Sequence, residues 1–478
     1  MNFEGLVNMN TSGFLMKDTE LVAAKNVYMN KVGQLEKVPG YELAVNDQIV
    51  NDKSVNYLHY YYQPSTDTSR LIGGSDSGTN YILEYRTTGN WTTLSATYTS
   101  RAGAEVSMQN YLDKVFIVGY DSGTFLAPAT IEGTTYTASA VTDTDLDSMP
   151  GGKYIVRYRD LLYVLNAYVS SPKPNRAYYC DDPVEGAITW SNLTNFIDFG
   201  YDDGDEITGG ASALDRLIVF KRYSMWKYDE YERKQIAQVG CDSYRSIISL
   251  GDALYWFNRD GFWRWTGNTP ELISYKVQPL INAMVATTLG NVVATVHDGF
   301  EYRAFIGTVT VEGNTYTNAW YCFDTRTENQ YIRCTYDTAT SACEYIESSK
   351  KRAYFGNNDG YVMKFSTAVD GVYSDNTNAI SSFFTTKPYD HGVPEETKFT
   401  NHLTFFSENP QGMVLSVDSN NQGEFSGERH CVLKKSVETT DVSLSGNIFR
   451  YKFSETGTGK SWKFFGFVAE TDVIDTSK

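Results

Sequence analysis

A turn–strand–turn pattern returns along this chain between about residues 50 and 375. Each copy has a polar turn residue and an apolar strand, then, eight residues from its start, a second turn or an aromatic-rich strand. Copies start at Thr68 (TSRLIGGSDSGTNYILEY), Asp113 (DKVFIVGYDSGTF), Asp160 (DLLYVLNAY), Asp215 (DRLIVFKRYSMWKY), Asp252 (DALYWFNRDGFWRW) and Lys351 (KRAYFGNNDGYVMKF). A weaker copy lies near Phe300. The step places Asp76, Asp121, Asp260 and Asp359 equivalently, each followed by Gly at once or one residue later. Asp-Gly between apolar runs is hairpin chemistry, because Gly supplies positive φ and Asp bonds its own turn. Spacings of roughly 37 to 55 residues suit four-stranded propeller blades. The expectation is an all-β chain with an irregular propeller of six or seven blades.

Past Asp375 the pattern changes to strands such as HLTFFSE, GMVLSVDS, HCVLKKS, IFRYKFSE and WKFFGFVAE between Gly, Asn and Ser turns, which reads as a β-sandwich-like domain. The expected division is 1–50, an N-terminal hairpin or arm feeding the first blade; 51–375, the propeller; and 376–478, the C-terminal domain. Residues 274–289 form the best short helical candidate, interrupted by Pro279. The longest interval, from Asp160 to Asp215, holds an apparent extended loop over 170–192, a contact candidate.

Thirty-six tyrosines and an aromatic share of 14% favour strands, and 478 residues suffice for more than one core. The formal charge of −17 argues against gripping a nucleic-acid backbone, which takes clustered Lys and Arg. It is compatible with solubility alone, or with negative walls along which DNA slides without sticking. Six scattered cysteines without C-x-x-C spacing read as reduced thiols. The N-terminal segment lacks a basic and apolar signal-peptide pattern, and no apolar run is long enough to span a bilayer.

Chemistry-bearing motifs are sparse. His59, His297, His391, His402 and His430 form no metal-ligand spacing and read as surface or partly buried polar residues. Asp143, Asp145 and Asp147 copy the first ligand positions of a calcium loop, but Ser148 stands where Gly is needed and Tyr154 where Glu is needed. Asp202, Asp203, Asp205 and Glu206 form a second acidic loop. The Asp-Gly turns invite comparison with glycosidase Asp-boxes, yet SDSGTN and YDSGTF lack the Trp and NRDGFW lacks the Ser and the spacer. Trp226, Trp256, Trp263 and Trp265 read as packing rather than as a sugar platform. No catalytic, cofactor or metal residues are assigned.

The N-terminal GLVNMN, then Glu20, Ala24 and Asn26, then GQLEKVPGY from Gly33 to Tyr41, resemble the pattern of the tail nozzle family of short-tailed bacteriophages, the tubular B and packaged-DNA stabilisation proteins. Where that family usually carries Lys-Arg-Pro-Gly, this chain has Lys37-Val38-Pro39-Gly40. Thr386, Lys387 and Lys398 are similar to the passage where such proteins leave the propeller. The resemblance implies a non-enzymatic virion protein of the tail, assembled in the host bacterial cytoplasm. It implies a homo-hexameric ring that prolongs the DNA channel below the portal and adaptor ring, carries fibres or a tip, and helps retain the genome. DNA would be a transient contact, no cofactor is implied, and no membrane span is expected. The candidate channel-lining acidic loops are Asp143, Asp145 and Asp147, and Asp202, Asp203, Asp205 and Glu206; the ring contacts are assigned to 170–192 and the C-terminal domain. The rival readings are a glycan-binding or glycan-degrading tail propeller and an interaction scaffold unconnected with virions.

Overall fold

The second strands of several repeats hold unbroken apolar runs, such as VFIV in Lys114–Asp121 or LYWF in Ala253–Asn258, because neighbouring sheets cover both of their faces. The computed structural model describes residues 7–30, 32–50, 52–76, 81–87, 89–98, 105–184, 186–392, 394–410, 412–419, 431–433, 436–457, 459 and 461–474. Among these, six antiparallel units follow in chain order, the second of five strands and the others of four. Their first strands are Val55–Gln63, Glu105–Tyr111, Gly151–Tyr158, Ile207–Ala213, Ile248–Leu250 and Val293–His297. A seventh unit has only Ser341–Glu347, Lys350–Gly356 and Val362–Phe365 from its own stretch of chain.

Its fourth strand comes from the N-terminal region. Label the N-terminal strands β1 (Leu21–Lys25), β2 (Val27–Met29), β3 (Leu35–Lys37) and β4 (Tyr41–Leu43). β4 pairs antiparallel with Val362–Phe365, Tyr41 opposite Phe365 and Leu43 opposite Met363. The first strands of successive blades pack side by side, and Ser341–Glu347 lies against Val55–Gln63, so the ring of blades is closed. The fold is therefore a seven-bladed propeller. The repeat at Phe300 was faint because its second strand carries Glu301 and Arg303 where the others are apolar.

Tyrosine hydroxyls link the early blades. Tyr61 donates to the carbonyl of Asp113 (2.5 Å), Tyr111 to that of Asp160, and Tyr158 to that of Asp215 (3.2 Å). Each acceptor is the polar turn residue that opens the next repeat, so the turn aspartates serve the neighbouring blade as well as their own hairpin.

β1–β3 correct the expected arm. The hairpin exists, with Val27 opposite Lys37 and Met29 opposite Leu35, and Gly33 turns it at φ 80°. It feeds no blade. β3 instead pairs with Lys463–Val473, and β1 pairs with Ser382–Thr386. Together they complete two five-stranded sheets. One runs β1, Ser382–Thr386, Phe449–Glu455, Met413–Ser419, Cys431–Leu433; the other runs β2, β3, Lys463–Val473, Lys398–Glu408, Val437–Gly446. The alternating apolar residues of the hairpin found their partners more than 400 positions away, which local pattern does not reveal. Phe384 stacks on Phe453 at 4.7 Å inside the sandwich, and Lys37 forms a buried ion pair with Glu455 across the sheets at 2.7 Å. Thr386 and Lys398, matched on the resemblance, are buried at the strand ends where sequence placed them.

Asn26, between β1 and β2, holds the sandwich to blade six. Its φ is 57°, its amide N–H donates to Ile332 O, its Nδ2 to Ser381 O, and its Oδ1 accepts from the Cys334 amide and from Arg333. Beside it Arg333 and Asp375 form a buried ion pair. Gly40 then passes so close to the 374 backbone that a Cβ would lie 1.8 Å from Ser374 O.

Two smaller expectations also shift. Pro279 does not interrupt a helix but sits at the start of the only α-helix among the described residues, Gln278–Asn282, flanked by 3-10 turns. The apparent loop over 170–192 is half strand. Ser171–Tyr179 is the third strand of blade three, with Pro172 and Pro174 in the part that lacks an outer neighbour. The repeat turn after Asp76 and His430 lie outside the described residues.

Candidate functional site

The acidic loops are less free than their composition implied. Asp143 and Asp145 are buried, and both ion-pair with Lys114, at 2.8 and 2.7 Å. Asp143 also accepts from Thr130 (2.6 Å), while Asp145 accepts from the Ile188 amide (3.0 Å). Burial raises the Asp143 carboxyl, but the Lys114 and Thr130 hydrogen bonds outweigh it and hold the group below its ordinary value. These two carboxylates fasten the loop between blades two and three. Asp203 pairs with the buried Lys221 (2.6 Å), Glu206 with Lys153 (2.8 Å), and Asp205 accepts from the amides of Arg222 and Tyr223. Asp147 and Asp202 remain exposed. The two loops sit on different blade junctions.

The propeller axis holds a cavity of about 430 Å³, lined by first strands that include His59, Met108 and Glu344. It is bridged by Tyr244, ahead of blade five, whose hydroxyl donates to Val106 O of blade two (2.9 Å). Arg245 donates to Thr340 O (3.2 Å).

The strongest constellation is one that sequence reasoning missed. Register places His297, Glu301, Asp324 and Asn329 in a row across one end of blade six, as successive cross-strand partners. Two residues further along the same face lie Arg303 and Tyr331. Lys350 and Arg352, two apart on blade seven, line the same cavity, and Tyr28, Asn30 and Pro39 close it from the N-terminal hairpin. The cavity measures about 570 Å³.

Its floor is buried and charged. Tyr331 donates to Glu301 Oε1, and Arg303 Nη2 donates to Glu301 Oε2 (3.0 Å) and to the Tyr331 hydroxyl (3.3 Å). Arg352 reaches Asp298 (3.1 Å) and Asp370 (3.2 Å), and Arg326 clasps Asp324 with two hydrogen bonds. The guanidinium of Arg326 lies over the ring of Phe300, and that of Arg303 faces Phe365. Burial first, and then the charges of Arg303 and Arg352, hold His297 well below its ordinary value, so it is neutral at neutral pH. His297 is 3% exposed, against the expectation of a surface or partly buried histidine. Arg303 Nε and His297 Nδ1 of this floor are buried and have no hydrogen-bond partner among the described residues. The sequence signal was available in HDGFEYRAF: Glu and Arg alternating within a strand that is otherwise apolar.

The tryptophans pack. Trp256 and Trp265 are buried in blade five, and Trp256 donates to Gly240 O (3.0 Å). Cys180, Cys241, Cys322, Cys334 and Cys343 are unpaired thiols, and burial pushes Cys241 and Cys334 up to about 12. Among the described residues no group of three or more His, Cys, Asp or Glu is arranged to hold a metal ion, and no helix is long and apolar enough to cross a membrane.

No protein-family model matches the chain, and no curated protein matches it. Among solved structures, BamB from Moraxella catarrhalis is similar over 71% of this chain and 90% of that one, at 13% identity and a TM-score of 0.39. The propeller assignment rests on the sheet order and the closed ring of first strands.

Proposed function

We propose that this protein is a structural component of a short-tailed bacteriophage tail, a nozzle subunit that works as a homo-hexameric ring around the DNA path. What carries the reading is the coincidence of the family-like N-terminal pattern with the parts that lock this architecture. Glu20 is buried between Asn8 (3.0 Å) and Lys276 (2.9 Å), Asn26 ties the sandwich to blade six, and Tyr41 opens the strand that closes blade seven. Those motif residues are architectural, as a girder-like subunit requires.

The mechanism is one of interfaces. A closed propeller carrying a sandwich is a stiff block, and the contacts between copies fall to the loop after Ser171–Tyr179 and to the C-terminal domain. That loop presents Val184 and Leu193, 71% and 92% exposed. Asp147 and Asp202 are the members of the acidic loops free to face a lumen, where they repel a polyanion and let it slide. An adaptor ring above and fibres or a tip below are the neighbours this reading entails. It contains no catalytic step and no cofactor. Electron microscopy of the purified chain, and of particles that contain it, tests the reading: a six-fold ring on the tail axis is expected. A single copy in the particle, or a lumen lined by Lys and Arg, overturns it.

A further inference from the structure

Where the first strands begin, the propeller axis adjoins a second cavity of about 400 Å³, and Asn56 and Arg245 line both. Its wall is built from chain that leads into those strands: Arg245 ahead of Ile248–Leu250, Val292 ahead of Val293–His297, and 338–340 ahead of Ser341–Glu347. Val292, Phe305, Ile306 and Ala339 give it a buried apolar side, and Val285 on the rim is 60% exposed. A hollow that is mostly apolar, with one or a few polar groups to fix orientation, is the usual make-up of a binding site.

Two features narrow the occupant. The first is charge. In a chain of net charge −17, this lining holds one guanidinium and no carboxylate. Arg245 donates from Nη1 to Thr340 O (3.2 Å), and no carboxylate lies within ion-pair distance of it among the described residues. The rest of its planar fork matches a carboxylate in shape and charge. The second feature is backbone. The second strand of blade six is paired with its first strand only as far as Phe305, opposite Val293. Ile306, Gly307 and Thr308 then line the cavity, with that edge of the strand unpaired among the described residues. No atom of a non-adjacent residue lies within 4 Å of the place a Cβ would take at Gly307, and a glycine in a strand often marks the close approach of another backbone. An open strand edge is matched by an extended peptide and not by an alkyl chain.

We propose that this cavity captures the C-terminal carboxylate of an extended peptide that ends in an apolar residue. The carboxylate lies on Arg245, the last side chain enters the apolar hollow, and the preceding backbone runs along the edge at 306–308. The inference needs only the folded chain and does not rest on the ring reading.

Fluorescence polarisation on the full-length protein tests it, with labelled hexapeptides that end in leucine, valine or phenylalanine. Each is measured as the free acid and as the C-terminal amide, and unlabelled decanoate and unlabelled peptide acid serve as competitors. At least one free acid is expected to bind, and amidation to weaken it by about tenfold or more, the effect of losing a hydrogen-bonded charge. Arg245→Gln is expected to weaken the free acid by a similar factor. Val285→Glu sets a carboxylate on the rim beside the guanidinium and is expected to abolish binding while leaving the melting temperature unchanged. It changes an exposed residue, so it stays readable if loss of the Thr340 bond unfolds Arg245→Gln. No binding by any peptide overturns the proposal, as does equal binding of acids and amides. Displacement by decanoate at lower concentration than by peptide acid also overturns it, since the occupant would then be a fatty carboxylate. So does binding that neither substitution alters, since the peptide would then sit elsewhere.

Discussion

Asn26 shows how much one polar residue can fix. Its left-handed backbone is tolerable for Asn, and all of its side-chain capacity is directed at other elements: Ser381 before the sandwich strand, Cys334 and Arg333 at the edge of blade six. Replacing it by Ala would leave a buried amide and carbonyl unmatched and keep the strained φ, so Asn26→Ala is expected to cost about 2–4 kcal/mol in chemical denaturation. In sequence Asn26 was visible only through its place in a loose motif, and nothing local named Ile332 or Ser381 as partners. Lys114 offers a test by pH. The Asp143 carboxyl lies below its ordinary 3.8 in the folded protein because the Lys114 and Thr130 bonds outweigh burial. A depressed carboxyl contributes its stability in full above the unfolded value and loses it as pH falls through the folded one. Lys114→Met is therefore expected to lower the melting temperature at pH 7, with the difference from the parent protein shrinking steadily below about pH 4. A constant gap down to pH 2 would show that the pair does not set the effect.

Among the elements, legibility followed the range of the forces involved. The second strands of the blades, and turns such as Asp121 and Asp260-Gly261, could be read because Asp-Gly hairpin chemistry is decided within a few residues. β4 could not: three residues, Tyr41–Leu43, become a strand only because Val362–Phe365 offers an open edge. Nor was Val437–Gly446 anticipated, a strand with the polar run ETTD that among the described residues pairs only with Lys398–Glu408. The charged end of blade six was hidden for a related reason, since Glu301 and Arg303 look like a weak strand until Tyr331 and Arg352 are brought beside them. Two truncations separate the roles of the N-terminal strands. A chain that starts at Val38 keeps β4 but lacks β1–β3, and is expected to retain a closed propeller while the sandwich loses its cooperative transition. A chain that starts at Lys53 also lacks the closing strand, and is expected to aggregate through the exposed edge of Val362–Phe365. Identical melting curves for the two would refute the separate role of β4.

At the scale of the molecule, the net charge of −17 is distributed with restraint, because many carboxylates face inward to lysine and arginine partners. The apolar tip at Leu193 has no such balance, which makes it the sharpest probe of assembly. Leu193→Asp is expected to leave the melting temperature within about 1 °C, as exposed substitutions do, and to shift sedimentation from ring to single chain. A ring that survives that change would place the contact elsewhere.

The pairing of β3 with Lys463–Val473 also sets a clock. β3 meets Lys463–Val473, so Leu35 waits for Phe464. At roughly 5–20 residues per second of synthesis, the wait is about 20 to 90 s on the ribosome. Until then the edges of β1–β3 stay open to the wrong neighbours, and a chaperone that shields the nascent N-terminus would find its binding surface there. The reward is order in time: a sandwich sheet that joins β3 to Lys463–Val473 cannot form until that later strand has been made.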